Sequence, residues 1–232
     1  MTRERLGAAT ILCLVIVAPG AASAQPTPAP QPSLTGNVPL NFPSAPSGRV
    51  AVATSGLPYQ NVVSFVVRNG SSASVDRLKV SVRVRGPNGK VVGRGSTTTI
   101  VPSALNLNEV AIGRVRLSKP APAGAKYEFK VSTHRLRHRA PTSTLLVATM
   151  MPSSPMVGGV AQTLTVQARN AGRRKIRGAI TVTVVCFNQA NHPVQSESAK
   201  DSKAGLPAGG SWSHTFGFSS LCPAYLVGAR SR

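Results

Sequence analysis

Between Leu78 and Arg85 the chain alternates strictly. Leu78, Val80, Val82 and Val84 are apolar, while Lys79, Ser81, Arg83 and Arg85 are polar or charged. A period of two puts all four apolar side chains on one face of a strand, whereas a helix would scatter them. This pattern constrains the fold more than any other feature. Val62-Val63-Ser64-Phe65-Val66-Val67 is a run of β-branched and aromatic residues, the composition that suits a pleated surface. Pro87-Asn88-Gly89 reads as a turn, with Gly89 free to take a positive φ, and Val91-Val92 begins the return strand. Val110 to Leu117 and Tyr127 to Thr133 supply two more. After the first 24 residues no stretch has the 3.6-residue apolar period of a helix. Short strands with turn signals at intervals of about 8–12 residues predict an all-β chain of the sandwich type.

A second series of strands follows: Thr163 to Asn170, Ala179 to Phe187, Pro193 to Ser198, Trp212 to Phe218 and Cys222 to Ala229. It resembles the first. Arg68-Asn69 matches Arg169-Asn170. Leu78, Val80, Val82 and Val84 match Ile180, Val182, Val184 and Cys186. Asn88-Gly89 falls on Ala190-Asn191. The expectation is two tandem β-sandwich domains, 48–139 and 140–232, with the boundary in the polar run His134 to Thr142.

The N-terminus reads as a secretory signal over residues 1–24. Arg3 and Arg5 precede an apolar run, Leu6 to Val17. Pro19-Gly20 breaks the run, and Ala22-Ser23-Ala24 offers small residues to a signal peptidase. The run is shorter than the roughly 20 residues of a membrane span. No second long apolar segment follows. The expected location is therefore secreted, periplasmic or cell-envelope. Residues 25–47 form a Pro-rich linker, with seven prolines between Gln25 and Pro46, and read as an extended spacer. Cys13 leaves with the signal. Cys186 and Cys222 remain, an expected disulfide in an exported chain. Closing a loop of about 35 residues is worth roughly 3–4 kcal/mol. A metal-bound or catalytic thiol is the alternative, but neither cysteine has a ligand-spaced partner.

In the second series a strand ends in Asn170-Ala171-Gly172. Later come Leu206-Pro207-Ala208-Gly209-Gly210 and the aromatic strand of Trp212, Phe216 and Phe218. This order resembles FxLYD-type and related immunoglobulin-like β-sandwich domains of exported bacterial proteins. Val184-Val185-Cys186-Phe187-Asn188 stands where that family carries its aliphatic-aromatic-acid signature, with Asn in place of the usual Asp. Val84-Arg85-Gly86-Pro87 departs further. The resemblance covers most of 48–232 and implies immunoglobulin-like accessory or binding modules without catalytic residues.

Searching for chemistry gives no catalytic constellation. There is no Gly-x-Ser-x-Gly elbow and no phosphate-binding Gly-rich loop. After residue 24 the carboxylates are Asp76, Glu109, Glu128, Glu197 and Asp201. Glu197 and Asp201 lie in a polar segment that reads as a solvated loop. His134 and His138 are four apart, a metal spacing only on a helix, in a segment that follows a strand. His214 alternates with Trp212 and Phe216 and reads as a core-facing or edge residue. Asn69-Gly70-Ser71 matches a glycosylation sequon, and a turn explains it equally well. No catalytic residue, metal or cofactor is implied, and the expectation is a protein that is not an enzyme.

Charge is what stands out. The chain has 27 Lys+Arg against 6 Asp+Glu, a formal net charge of +21. Residues 36–139 hold 16 basic and 3 acidic residues, and 140–232 hold 9 and 2. Alternation points Lys79, Arg83, Arg85, Arg114, Arg116, Lys126 and Lys130 away from the core. If the third, sixth and seventh strands share a sheet, as in immunoglobulin-like sandwiches, these seven make one polyanion-binding face. Secondary basic patches are Arg135, Arg137 and Arg139, and Arg173, Arg174, Lys175 and Arg177. The second domain has Thr181, Thr183, Val185 and Phe187 where the first has its basic positions. The leading expectation is a secreted binding module that contacts an anionic envelope polymer or surface. The alternative is a structural or assembly protein of the envelope, chaperone-like, with a protein partner. Nucleic acid is disfavoured, because export removes it and no aromatic residues interleave the basic ones to stack on bases.

Overall fold

The computed structural model describes residues 34–140, 143–149, 162–201 and 205–231. The proposed signal peptide and the first nine residues of the Pro-rich linker, 25–33, lie outside them. The described chain is all-β. Its strands are β1 (Leu34–Gly36), β2 (Val50–Ser55), β3 (Val62–Asn69), β4 (Val75–Arg85), β5 (Val91–Thr97), β6 (Ile100–Val101) and β7 (Val110–Arg116). They continue as β8 (Lys126–Arg135), β9 (Leu145–Thr149), β10 (Gln162–Asn170), β11 (Ile180–Phe187), β12 (Pro193–Lys200), β13 (Ser211–Phe218) and β14 (Ala224–Ser231). No helix among the described residues is long and apolar enough to cross a membrane.

Four antiparallel sheets form, in the strand orders β5-β4-β8, β2-β3-β7-β6, β1-β14-β11-β12 and β13-β10-β9. They stack in that sequence, separated by three apolar layers. The first layer holds Val63, Phe65 and Val67 against Val80, Val82 and Val84. The third holds Val182, Val184 and Cys186 against Leu164, Val166 and Phe218. The middle layer brings Val66, Val101 and Ile112 against Val185, Phe187 and Leu226. The two inner sheets are therefore buried on both faces. Strands β3 and β11 accordingly read as nearly continuous apolar runs. The outer sheets face water on one side, and β4 alternates.

The two halves share a hydrogen-bond pattern. Asn69 ends β3 fully buried. Its Nδ2 donates to the carbonyls of Ala73, Leu105 and Asn106, which lie 4, 36 and 37 residues on. Asn170 ends β10 equally buried. Its Nδ2 donates to the carbonyls of Arg174, Leu206 and Pro207, again 4, 36 and 37 residues on. Each asparagine thus satisfies carbonyls that burial would otherwise strand. The hairpin turns match as well. The Gly86 amide donates to the Lys90 carbonyl and the Asn188 amide to the His192 carbonyl. Gly89 and Asn191 both hold a positive φ, at 75° and 59°.

Two expectations are overturned, and the sequon's two readings are decided. Residues from Leu34 onward were expected to be spacer. Instead β1 pairs with β14, and Leu34, Leu40 and Phe42 pack against the middle layer. Arg68 donates to the Phe42 carbonyl at 2.8 Å. The prolines discourage pairing, but the apolar residues between them find an uncovered sheet edge. Glu197 lies in β12, as the expected strand from Pro193 to Ser198 has it, and Asp201 beyond it is buried, so neither is in a solvated loop. The sequon asparagine is buried with its carboxamide engaged at both ends, so it serves the turn. Cys186 and Cys222 form the expected disulfide. It ties β11 to the segment leading into β14.

Candidate functional site

The outer face of the β5-β4-β8 sheet is the most heavily charged surface that the strands build. In β4, Lys79, Arg83 and Arg85 alternate with Leu78, Val80, Val82 and Val84, which are at most 3 % exposed. The core side of the strand is thereby determined, and the basic side must face water. Strand β8 runs alongside, with Ser81 opposite Lys130, Arg83 opposite Glu128, and Arg85 opposite Lys126. Lys79, Arg83, Lys126 and Lys130 are exposed and Arg85 is half-buried. Five of the seven expected residues thus share one face.

The other two do not. Arg114 and Arg116 lie on β7, which pairs with β3 and β6 in the neighbouring sheet. The expectation that the third, sixth and seventh strands share a sheet is wrong here. Arg114 faces the middle layer, and its Nη1 lies 3.5 Å from Oε2 of Glu197. That pair sits beside the buried hydroxyl contact of Ser64 with Ser196, at 2.7 Å. Arg114 is thereby committed to joining the two inner sheets. Arg116 is exposed at the rim of a cleft of about 110 Å³ beside Tyr59 and Glu197.

One basic residue of the face was missed. Arg94 on β5 stands directly opposite Arg83 and is exposed. Counting residues back from the Pro87-Asn88-Gly89 turn sets Arg83 opposite Gly93, and only the register shift between Val84 and Arg85 brings Arg94 there.

The electrostatics of this face are lopsided. Neighbouring strands are about 4.8 Å apart, and like charges directly opposite one another are destabilising. Yet Arg83 faces Arg94, and Arg85 faces Lys126. Asp76, further along β4, is held by His134, while Glu128 is the carboxylate set among these cations. Its Oε1 accepts from Nε of Arg85 at 2.7 Å. That hydrogen bond holds the Glu128 carboxyl below the usual carboxylate range, helped by the charges of Arg85 and Arg83 and opposed by partial desolvation. The same bond raises Arg85. Among the described residues Lys79, Arg83, Arg94, Lys126 and Lys130 form no ion pair. The face can attract anions over a broad, flat area.

The secondary patches separate. Arg173, Arg174, Lys175 and Arg177 are exposed in the loop after Asn170. Arg135, Arg137 and Arg139 line a cleft at the far end of β8. His134 at the end of β8 lies 3.0 Å from Asp76, and His138 lines the same cleft as the arginines. No group of three or more potential metal ligands occurs among the described residues. His214 stacks beside Trp212 and meets Phe216 edge-on, at 5.7 and 4.7 Å between ring centres.

No protein-family model matches this chain, and no curated protein matches it in sequence.

Proposed function

We propose that this protein is an exported, non-enzymatic binding module whose basic sheet face contacts an anionic envelope polymer or surface. In this reading it consists of two tandem immunoglobulin-like domains, 48–139 and 140–232, preceded by a signal peptide and a short Pro-rich segment. The resemblance to FxLYD-type domains belongs to the same reading. What supports that part is the matched carbonyl-binding role of Asn69 and Asn170. The Leu206-Pro207-Ala208-Gly209-Gly210 motif serves the same turn, with the Gly209 amide donating to the Asn170 carbonyl.

The observation that carries the functional reading is the placement of like charges opposite one another. Arg83 against Arg94 and Arg85 against Lys126 repel across the strands. A stability-driven face would mix signs. An array that repels itself gains most from a ligand that brings many negative charges at once. The face is flat and has no aromatic platform, which favours a flexible phosphate- or carboxylate-rich polymer over stacked bases.

The test is elution from immobilised phosphate polymer across a salt series. The full mature chain should be retained well beyond about 0.15 M salt, since contacts screened over a Debye length of roughly 8 Å need many charges to persist. The variant Lys79→Gln, Arg83→Gln, Arg85→Gln, Lys126→Gln, Lys130→Gln should elute markedly earlier, and Arg116→Gln should elute like the parent. Low-salt elution of the parent, or equal elution of all three, would overturn the reading.

A second reading has one observation of its own. The hairpin match places Lys79, Arg83 and Arg85 where the other half has Thr181, Val185 and Phe187, a face buried between sheets. An acidic protein surface is then the alternative partner. Cross-linking in cells that recovers one protein rather than polymer would favour it.

A further inference from the structure

The loop after β8 is tied down at both ends. The Leu136 amide donates to the Ser74 carbonyl at 2.8 Å. The Ala140 amide donates to Oδ1 of Asn106 at 2.9 Å. Ala140 is buried. Arg137, His138 and Arg139 are therefore carried on a short anchored arch, with Arg135 at its base. Beneath the arch lies an open cleft of about 940 Å³. That is the size of a pocket for a small ligand.

Asn106 organises the floor. Its Oδ1 also accepts from the Ser74 hydroxyl at 2.9 Å. Its amide and Nδ2 donate to the two carboxylate oxygens of Glu109, at 2.8 and 3.1 Å. The carboxylate in the lining is thus turned onto Asn106. Among the described residues no carboxylate pairs with Arg135, Arg137 or Arg139. Three arginines thus border a concave space whose one lining carboxylate, Glu109, is ion-paired with none of them. Leu107, which is 52 % exposed, adds an apolar wall.

We propose that this cleft binds a phosphate group carried on a small or chain-terminal moiety, with Arg135, Arg137 and Arg139 as its ligands. Guanidinium forks match the oxygens of phosphate two at a time. Concavity separates this site from the flat sheet face, which suits the middle of a polymer. The apolar wall would receive the uncharged part of the ligand. The proposal uses none of the face residues, so its failure and that of the polymer reading are distinguishable.

Calorimetry with inorganic pyrophosphate on the full mature chain tests it. The parent should bind with a single dominant site. Arg135→Gln, Arg137→Gln, Arg139→Gln together should weaken binding at least about tenfold, the loss expected from a few charge-assisted hydrogen bonds. The five-residue face variant should bind pyrophosphate like the parent. These arginines are exposed, and an unchanged thermal unfolding curve checks that the fold survives. Polyphosphates of two lengths, offered to the face variant at equal total phosphate, identify the source. Binding that scales with the number of chain ends assigns a polymer terminus, and binding of pyrophosphate alone assigns a free phosphorylated molecule. No pyrophosphate binding by the parent would overturn the proposal. So would equal binding by the cleft variant, or equal losses in the cleft and face variants.

Discussion

At the scale of single residues, two asparagines hold the turns of the two halves and one glutamate sits among the cations of the basic face. Asn69 and Asn170 are each fully buried and each serve three carbonyls. Alanine at either position would leave buried carbonyls without a donor. Asn69→Ala and Asn170→Ala should each lower stability by about 2–3 kcal/mol in urea unfolding. A loss below about 0.5 kcal/mol would mean that water replaces the carboxamide. Glu128 works differently, because it is exposed and paired with Arg85. Its carboxyl is held low, so its small contribution to stability is present above the ordinary carboxylate pKa. That contribution is lost as pH falls through the lowered value. Protonation also removes the negative charge that sits among the cations of the face. Glu128→Gln should therefore raise the salt needed to elute the protein from phosphate polymer at neutral pH. The gap between variant and parent should close as pH drops below the carboxylate range.

At the scale of elements, burial on one face or two explains how each strand reads. Strand β4 is alternating because water covers one side of it. Strand β11 shares its turn pattern but carries Thr181, Thr183, Val185 and Phe187 at the corresponding positions, because its second side meets another sheet. Close approach sets further limits. A Cβ on Gly228 in β14 would lie 2.5 Å from the Val101 side chain across the middle layer. Gly228→Val should push the inner sheets apart and split a single unfolding transition into two, read by calorimetry. The disulfide belongs to this scale too. It closes a separation of 36 residues within the third layer. Cys186→Ala with Cys222→Ala should cost about 3 kcal/mol by the loop-closure argument, with β4 and its layer unaffected.

At the scale of the molecule, the stack has a built-in asymmetry. Its middle contact joins one kind of sheet face to another, a head-to-tail arrangement that nothing geometric closes. The two end faces are the ones such a stack would use to grow. One of them carries Lys79, Arg83, Lys126 and Lys130. The other carries Thr165, Gln167, Ser213 and Thr215, with Thr165 and Thr215 hydrogen-bonded at 2.8 Å. Charged and polar end faces are what keeps repeating stacks soluble. Replacing Lys79, Arg83, Arg85, Lys126 and Lys130 with threonine and valine should produce concentration-dependent association in sedimentation, whereas the glutamine variant should stay monodisperse.

The alternation from Leu78 to Arg85 was enough to establish an all-β chain and to orient three of the basic residues. Local sequence also marked most strands, the Pro87-Asn88-Gly89 turn, the cysteine pair and the equivalence of Asn69 with Asn170. These are short-range properties: side-chain period, turn conformation and the number of cysteines. Sheet membership is not short-range. Nothing near Arg114 or Arg116 in the chain reveals that β7 pairs with β3, since strand order follows from which distant edges meet. Likewise Leu34, Leu40 and Phe42 look like spacer until the edge of β14 is there to receive them. Tertiary structure alone decided which outward faces stay outward. It buried one between the halves, left its counterpart in water with six cations, and assembled the arginine cleft from β8, its loop and the segment around Asn106.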